Sequence, residues 1–524
     1  MNEEPARPAQ PSDGVRPTDE GSAEVESELR DAELLDAEGD PPDRLANRTA
    51  RGAAVTLGGQ VARTVLQMAS IVVLARLLSP RDYGLLALVL VVVGVGEILR
   101  DFGLSTAAIQ ARSLSREQRD TLFWLNAGLG VILSLIAVGI APLYAMIFDR
   151  PPLEHMVQVL ALVFTINGVA AQFRADLNRR MHFGQIAASD VAGQAVGLAV
   201  GVVCAVLGAG YWSLVAQQLA QVLVALVVLA WCARWRPQRP HRGAPIGALV
   251  RIGSHLAATR IIYYLMNNLD TLTIGVRFSS VSLGVYSRAF QLMNQPLSQM
   301  LTPATTVALP VLSRLQDDLM RAGEYLKRAQ LAIGYTIVPC LALAAGASSQ
   351  FVSLLLGPKW NQVVPIFTLL ATAGCLSTLA YVGRWVYLSR GMAADLMRYT
   401  IVSFVLQLVC IVVGSQWGVI GVAWGYMIAA AVEWPLSLCW LSRLTVLPVV
   451  SLLRGAVRIC VCALGAGLVA WGISTAITLD QPALVGLAAV IGGVLWYLLC
   501  ARVSRTVRGD LAGVREFGRR MVKR

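Results

Sequence analysis

An all-α chain that crosses a membrane many times is what this sequence of 524 residues predicts, and three observations carry the prediction. Hydrophobic residues make up 56% of it and charged ones only 15%, against about 45–50% and about 25% in soluble domains. After Arg51 the apolar residues fall into runs long enough to cross a bilayer as helices, which takes about 20 residues each. The basic residues then collect in the connections between alternate runs, the pattern that sets orientation in a membrane.

Taken in order, the chain opens with a different composition. Met1 to Ala50 holds 14 of the 32 acidic residues and 5 of the 44 basic ones. Residues 1–46, rich in Pro, Asp, Glu, Ser and Ala, have little to bury and read as a disordered acidic tail. No early apolar run marks a signal peptide, so insertion is expected to begin at the first membrane helix. The remaining sequence has 39 basic against 18 acidic residues. That excess lies in short loops between apolar runs, which excludes a nucleic-acid footprint.

About fourteen spans are expected, at 51–78, 83–108, 119–147, 153–175, 185–208, 210–234, 248–275, 281–308, 325–347, 360–389, 392–414, 416–442, 449–475 and 482–503. Arg112, Arg116 and Arg119, then Arg174, Arg179 and Arg180, then Arg234, Arg236, Arg239 and Arg242 mark successive connections on one side. Arg81, Arg150, Arg277 and Lys359 are nearly all the basic residues on the other. The basic side is the cytoplasm, and both termini fall there.

LSPRDYGLLAL (Leu78–Leu88) resembles FSSVSLGVYSR (Phe278–Arg288) at an offset of 200, with Ser79 over Ser279 and Gly84 over Gly284. Two six-helix halves follow, an N-terminal one at 47–235 and a C-terminal one at 248–443, joined by a cytoplasmic linker at 236–247. Two extra transmembrane helices occupy 444–503 and a basic cytoplasmic tail 504–524. From Arg502 to Arg524 the sequence has eight basic and two acidic residues, with Leu511, Val514 and Phe517 apolar; it reads as an amphipathic segment on anionic membrane lipids.

Polar residues inside spans are costly and mark water-filled paths or partners. Gln60, Arg63, Gln67 and Ser70 share one face of the first span. Arg260, Asn267 and Asp270 share a face of the seventh, and Arg288, Gln291 and Gln295 one of the eighth. A charge at mid-membrane costs about 2.5–3.5 kcal/mol on the lenient insertion scale. Arg63, Arg260 and Arg288 therefore need carboxylates or an anionic ligand, with Asp270 the expected partner of Arg288. One reading is a cationic cavity for a pyrophosphate and its sugars, since the guanidinium fork matches phosphate oxygens. The other is a set of interhelical ion pairs. Glu97, Arg100 and Asp101, one turn apart in the second span, read as a gate, a cation-coupling site or a local salt-bridged cluster. The nine cysteines lie in or beside apolar segments and the four histidines are scattered. No metal spacing, catalytic constellation, phosphate-binding GxxxxGK[ST] loop or cofactor motif is present.

Six stretches carry a family resemblance: ARLLSPRDYGL (Ala75–Leu85), LRDFGLSTAAIQ (Leu99–Gln110), NLDTLTIG (Asn268–Gly275), LGVYSRAFQLMNQP (Leu283–Pro296), LPVLSRLQDD (Leu309–Asp318) and LLGPKW (Leu355–Trp360). In order and spacing they resemble the polysaccharide flippases of the multidrug/oligosaccharidyl-lipid/polysaccharide exporter superfamily, in its colanic-acid-exporter-like branch, over residues 47–447. The resemblance implies a non-enzymatic flippase of the inner membrane. Its substrate would be a polyprenyl-diphosphate-linked oligosaccharide for exopolysaccharide or lipopolysaccharide synthesis, with a polysaccharide polymerase and glycosyltransferases as candidate partners. A drug or cation antiporter, a peptidoglycan-precursor flippase, and a membrane-embedded polymerase or glycosyltransferase are the alternatives. The short external connections, the longest at 346–358, count against the enzymes.

Overall fold

The computed structural model describes residues 42–101, 116–235, 237–239, 261, 264–445, 448–477 and 481–522. The described residues from Gly59 onward form one compact unit. The helices, in chain order, are α1 (Pro42–Leu77), α2 (Pro80–Asp101), α3 (Arg116–Ile147), α4 (Pro152–Leu160), α5 (Leu162–Arg179), α6 (Phe183–Val206), α7 (Trp212–Ala233), α8 (Leu269–Arg277), α9 (Ser280–Arg314), α10 (Leu319–Gly346), α11 (Ser348–Leu355), α12 (Val363–Ser389), α13 (Ala393–Gly414), α14 (Gly418–Leu444), α15 (Val449–Ala476), α16 (Pro482–Val503) and α17 (Arg505–Val522). Among the described residues there is no strand.

Local sequence explains where helices begin. Proline opens α2, α4 and α16, where its missing N–H would have been unbonded anyway. Ser79 and Asp82 cap α2 reciprocally, Ser79 N donating to Asp82 Oδ2 at 2.9 Å and Asp82 N to Ser79 Oγ at 3.4 Å. Ser279 Oγ accepts from Ser282 N at 3.2 Å to start α9, and Asp318 Oδ1 from Arg321 N at 3.0 Å to start α10. α9 carries Pro296, Pro303 and Pro310 in its interior and α10 carries Pro339, yet each is one helix.

Large apolar side chains cover the outside of the molecule as well as filling its core. Leu135 is 67% exposed, Met146 77% and Val503 76%, while Asp120, Asn126, Gln172, Asp270 and Arg288 are buried. So much apolar surface facing outward suits lipid and not water. Eleven segments among the described residues are long and apolar enough to cross a membrane. The chain is an all-α, polytopic membrane protein.

The expected spans differ from these segments in identifiable places. The fourth is two helices, α4 and α5, flexed at Ala161. Ala394–Leu444 counts as one apolar segment but contains α13 and α14 on either side of a 3-10 turn at Ser415–Trp417. α9 falls outside the eleven because Arg288, Gln291, Asn294, Gln295 and Gln299 dilute its apolar character. The connection at 346–358 is itself structured, as α11 followed by a 3-10 turn at Pro358–Trp360.

Candidate functional site

Two features bring the polar residues together: a cavity in the first half of the chain, and a seam between α2 and α9. The cavity has a volume of about 370 Å³, and α1, α2, α5, α6 and α7 line it. Its polar groups are Arg63, Arg100, Asn167, Arg174, Asn178 and Asp190, with alanines of α5 between them. Asn167, Arg174 and Asn178 stand seven and four residues apart, one face of α5. Asp190 of α6 takes both Arg174 and Arg63, the latter at 3.5 Å. Arg100 pairs with Glu97 at 2.8 Å, and Asn167 Nδ2 donates to Glu97 Oε1 at 2.9 Å. Among the described residues three guanidiniums line the space against Asp190, and with Glu97 holding Arg100 the balance is one positive charge, with amide donors beside it.

The seam begins with two glycines. A Cβ on Gly84 would overlap the Ser280 carbonyl and stand 2.9 Å from Gly284 N; one on Gly284 would overlap the Pro80 carbonyl and stand 3.0 Å from Gly84 N. Only glycine lets the two backbones approach this closely. Around them, each turn lends its orphan carbonyls to a distant loop. Arg76 O would accept from residue 80 in a longer helix, but Pro80 has no N–H, and Lys359 Nζ donates to it at 2.7 Å. Ala75 O would accept from Ser79 N, which is engaged by Asp82, and Trp360 Nε1 donates to it at 2.8 Å instead. The Arg76 guanidinium returns a bond to the Leu354 carbonyl. At the other turn, Arg150 donates to the Phe278 carbonyl, and Arg277 Nη1 to Ser415 Oγ at 2.6 Å. Burial lowers the Lys359 ammonium and the Arg150 guanidinium from their ordinary values; Asp82 opposes the shift at Lys359, and Tyr144 and Asp149 oppose it at Arg150. The stretches ARLLSPRDYGL and LLGPKW, far apart in sequence, are therefore two sides of one clasp.

The candidate residues separate between these features. Arg63 and Arg100 line the cavity, and Glu97 holds Arg100; the cluster of Glu97 and Arg100 is an ion pair one turn apart. The side chain of Asp101 and the whole of Arg260 lie outside the described residues. Gln295 Nε2 donates to Gln67 Oε1 at 2.7 Å and Gln60 Nε2 to Gln299 Oε1 at 2.9 Å, so the polar faces of α1 and α9 meet each other. Gln291 Oε1 is buried without a hydrogen bond among the described residues, and Asn267 is exposed with a polar contact of its own.

One expected contact is corrected: Asp270 does not pair with Arg288. Asp270 Oδ2 accepts from Tyr286 OH at 2.7 Å. Arg288, 9% exposed, lies over the ring of Tyr83 with its Cζ 3.9 Å from the centroid, and Tyr83 meets Trp360 edge-on at 5.6 Å. An aromatic face attracts a cation through its quadrupole, which sequence bookkeeping of opposite charges does not count. Arg174, Asn167 and Asp190 were missed because Arg174 reads as one more loop arginine. The signal that finds them is the small-and-polar stripe of α5.

The fold and these features define a class, the all-α polytopic membrane proteins that hold a polar cavity between their helices. The structure aligns with the lipid II flippase MurJ in an inward closed conformation at a TM-score of 0.70, covering 86% of this chain and 98% of that one at 12% identity. It also aligns with an inward-facing multidrug resistance transporter of the MATE family at 0.52, covering 78% and 98% at 17% identity. In sequence it is 26% identical over 400 residues to the lipopolysaccharide biosynthesis protein WzxC of Escherichia coli (strain K12), covering 75% of this chain and 80% of the relative. It is 24% identical over 397 residues to the teichuronic acid biosynthesis protein TuaB of Bacillus subtilis (strain 168), covering 72% and 79%. Residues 73–365, more than half the chain, match the family described as polysaccharide biosynthesis protein. The chain belongs to that family, as its six motifs led us to expect.

Proposed function

We propose that this protein is an inner-membrane flippase that moves a polyprenyl-diphosphate-linked oligosaccharide to the outer leaflet for the synthesis of a cell-surface polysaccharide. The observation that carries the reading is the cavity, which among the described residues is lined by Arg63, Arg100 and Arg174 against Asp190, with Glu97 paired to Arg100, a balance of one positive charge. Such a space suits a diphosphate, with Asn167 and Asn178 able to bond sugar hydroxyls. The same charge repels cationic drugs, which counts against a cation antiporter. The family relatives, named for the biosynthesis of lipopolysaccharide and teichuronic acid, support a polysaccharide precursor as cargo. A polymerase and glycosyltransferases are the partners that would use and supply it.

Separating α13 from α14, adding α9, and taking the apolar sequence run 248–275 that ends in α8 as a span brings the eleven apolar segments to fourteen spans, with both termini cytoplasmic. In that orientation the cavity opens near the basic connection at Arg179 and Arg180, on the cytoplasmic side. The clasp shuts the outer side. We read two six-helix halves that rock about the seam to expose the cavity to each side in turn, with α15 and α16 added to the second. The test is to replace Arg63 or Arg174 by Gln. Each change should make the lipid-linked oligosaccharide accumulate on the cytoplasmic leaflet at unchanged protein level, and Lys should restore part of the flux, keeping charge without the fork. Normal flux in the double Gln variant would refute the role of the cavity.

A further inference from the structure

α16 ends at Val503 and α17 begins at Arg505, with Ser504 alone between them. Up to that point α16 presents apolar side chains outward: Leu495, Leu498, Leu499 and Val503 are all exposed. The lipid-facing surface therefore ends where Arg502, Arg505, Arg508 and Arg515 begin, each of them exposed. The apolar face of α17, which its sequence offers to the bilayer, is instead spent on the protein. Val507 is buried, and Leu511 and Val514 pack on the main core. Asp510 fixes this attachment: its Oδ2 lies 2.8 Å from Arg458 Nη2 of α15 and accepts from Tyr335 OH of α10 at 3.1 Å. With Asp510 turned inward, the exposed face of α17 over residues 505–515 carries arginines and no acid. Arg508 is held against the end of α16, its Nε donating to the Ala501 carbonyl at 3.3 Å and its Nη2 to that of Arg502.

We propose that this arginine face binds the phosphate groups of anionic phospholipids bordering α16, so that α17 is a collar docked on the protein and not a helix sunk in the bilayer. The partner follows from placement and charge. Headgroup phosphates stand at the level where an apolar belt ends, and an anionic surface attracts each basic residue placed there. Docking through Asp510 holds the arginines at that level before any lipid arrives, so little ordering remains to oppose binding. The collar does not depend on what the cavity carries.

The test uses the purified full chain, with phosphatidylglycerol and phosphatidylcholine added in turn, and counts retained lipids by native mass spectrometry. Wild type should retain phosphatidylglycerol in preference. The triple variant R505Q/R508Q/R515Q should lose that preference by about tenfold or more, with phosphatidylcholine retention unchanged. Asp510→Asn keeps every arginine but loosens the dock, and should lose part of the preference. Equal retention of the two lipids by wild type, or an undiminished preference in the triple variant, overturns the proposal. An undiminished preference in Asp510→Asn overturns the docked collar.

Discussion

Trp360 is the residue at which the seam, proposed to close the outer side, can be weighed. It is 0% exposed, donates to the Ala75 carbonyl at 2.8 Å and leans on Tyr83, which carries Arg288. If the clasp exists only while the outer side is shut, each contact it loses moves the balance toward the outward-open state by its own free energy. Trp360→Phe keeps a buried ring and removes the donor, a loss of about 1 kcal/mol, which corresponds to a shift of about fivefold. Trp360→Ala also empties the ring's site, about 3–5 kcal/mol, a shift of more than about a hundredfold. The reporter is Ser287→Cys on α9, half-buried three residues beyond Gly284, labelled on intact cells with a membrane-impermeant maleimide. The native cysteines are corrected for by the same variants lacking Ser287→Cys. Labelling should accelerate about fivefold with Phe and reach the rate of an open thiol with Ala. A lower melting temperature with unchanged labelling would refute the reasoning, because it would mean that the indole stays docked in both states.

Two further outcomes are expected. Asp270→Asn should not rescue Arg288→Gln in the flux assay, because Asp270 is bonded to Tyr286 and Arg288 rests on Tyr83; rescue would show that the two carboxylate and guanidinium groups meet in another state of the cycle. Single cysteines beside Arg150 and Lys359 should label from outside the cell, and those beside Arg239 and Arg321 only after permeabilisation. Labelling of Arg150 and Arg239 positions from one side would reverse the orientation.

Long apolar runs made most of the helices legible, since length and period survive without knowledge of neighbours. The flex at Ala161 was not, because nothing in its composition separates α4 from α5. Nor was α11, whose eight residues lie in a stretch too short to read as more than a connection. At the site, the stripes on α1 and α9 were legible as faces, and they meet through Gln67 and Gln295. What spacing within one helix cannot give is which helix lies opposite. For that reason Arg288 was matched to Asp270, a carboxylate at similar depth on the preceding span, while its contact is a tyrosine ring on α2. The role of LLGPKW was hidden for the same reason: Trp360 and Lys359 answer carbonyls some 285 residues earlier.

The seam at Gly84 and Gly284 has the form of an isologous contact, as between two copies of a subunit about a dyad, where residue i touches j and j touches i. Gly84 meets Ser280, and Gly284 meets Pro80, each pair the mirror of the other in numbering. Here both partners are encoded in a single gene and cannot be replaced together by one substitution. A change at either glycine strikes the same crossing point from opposite sides, so the two turns are bound to drift as a pair: whatever one strand of that contact becomes, the other must already accommodate.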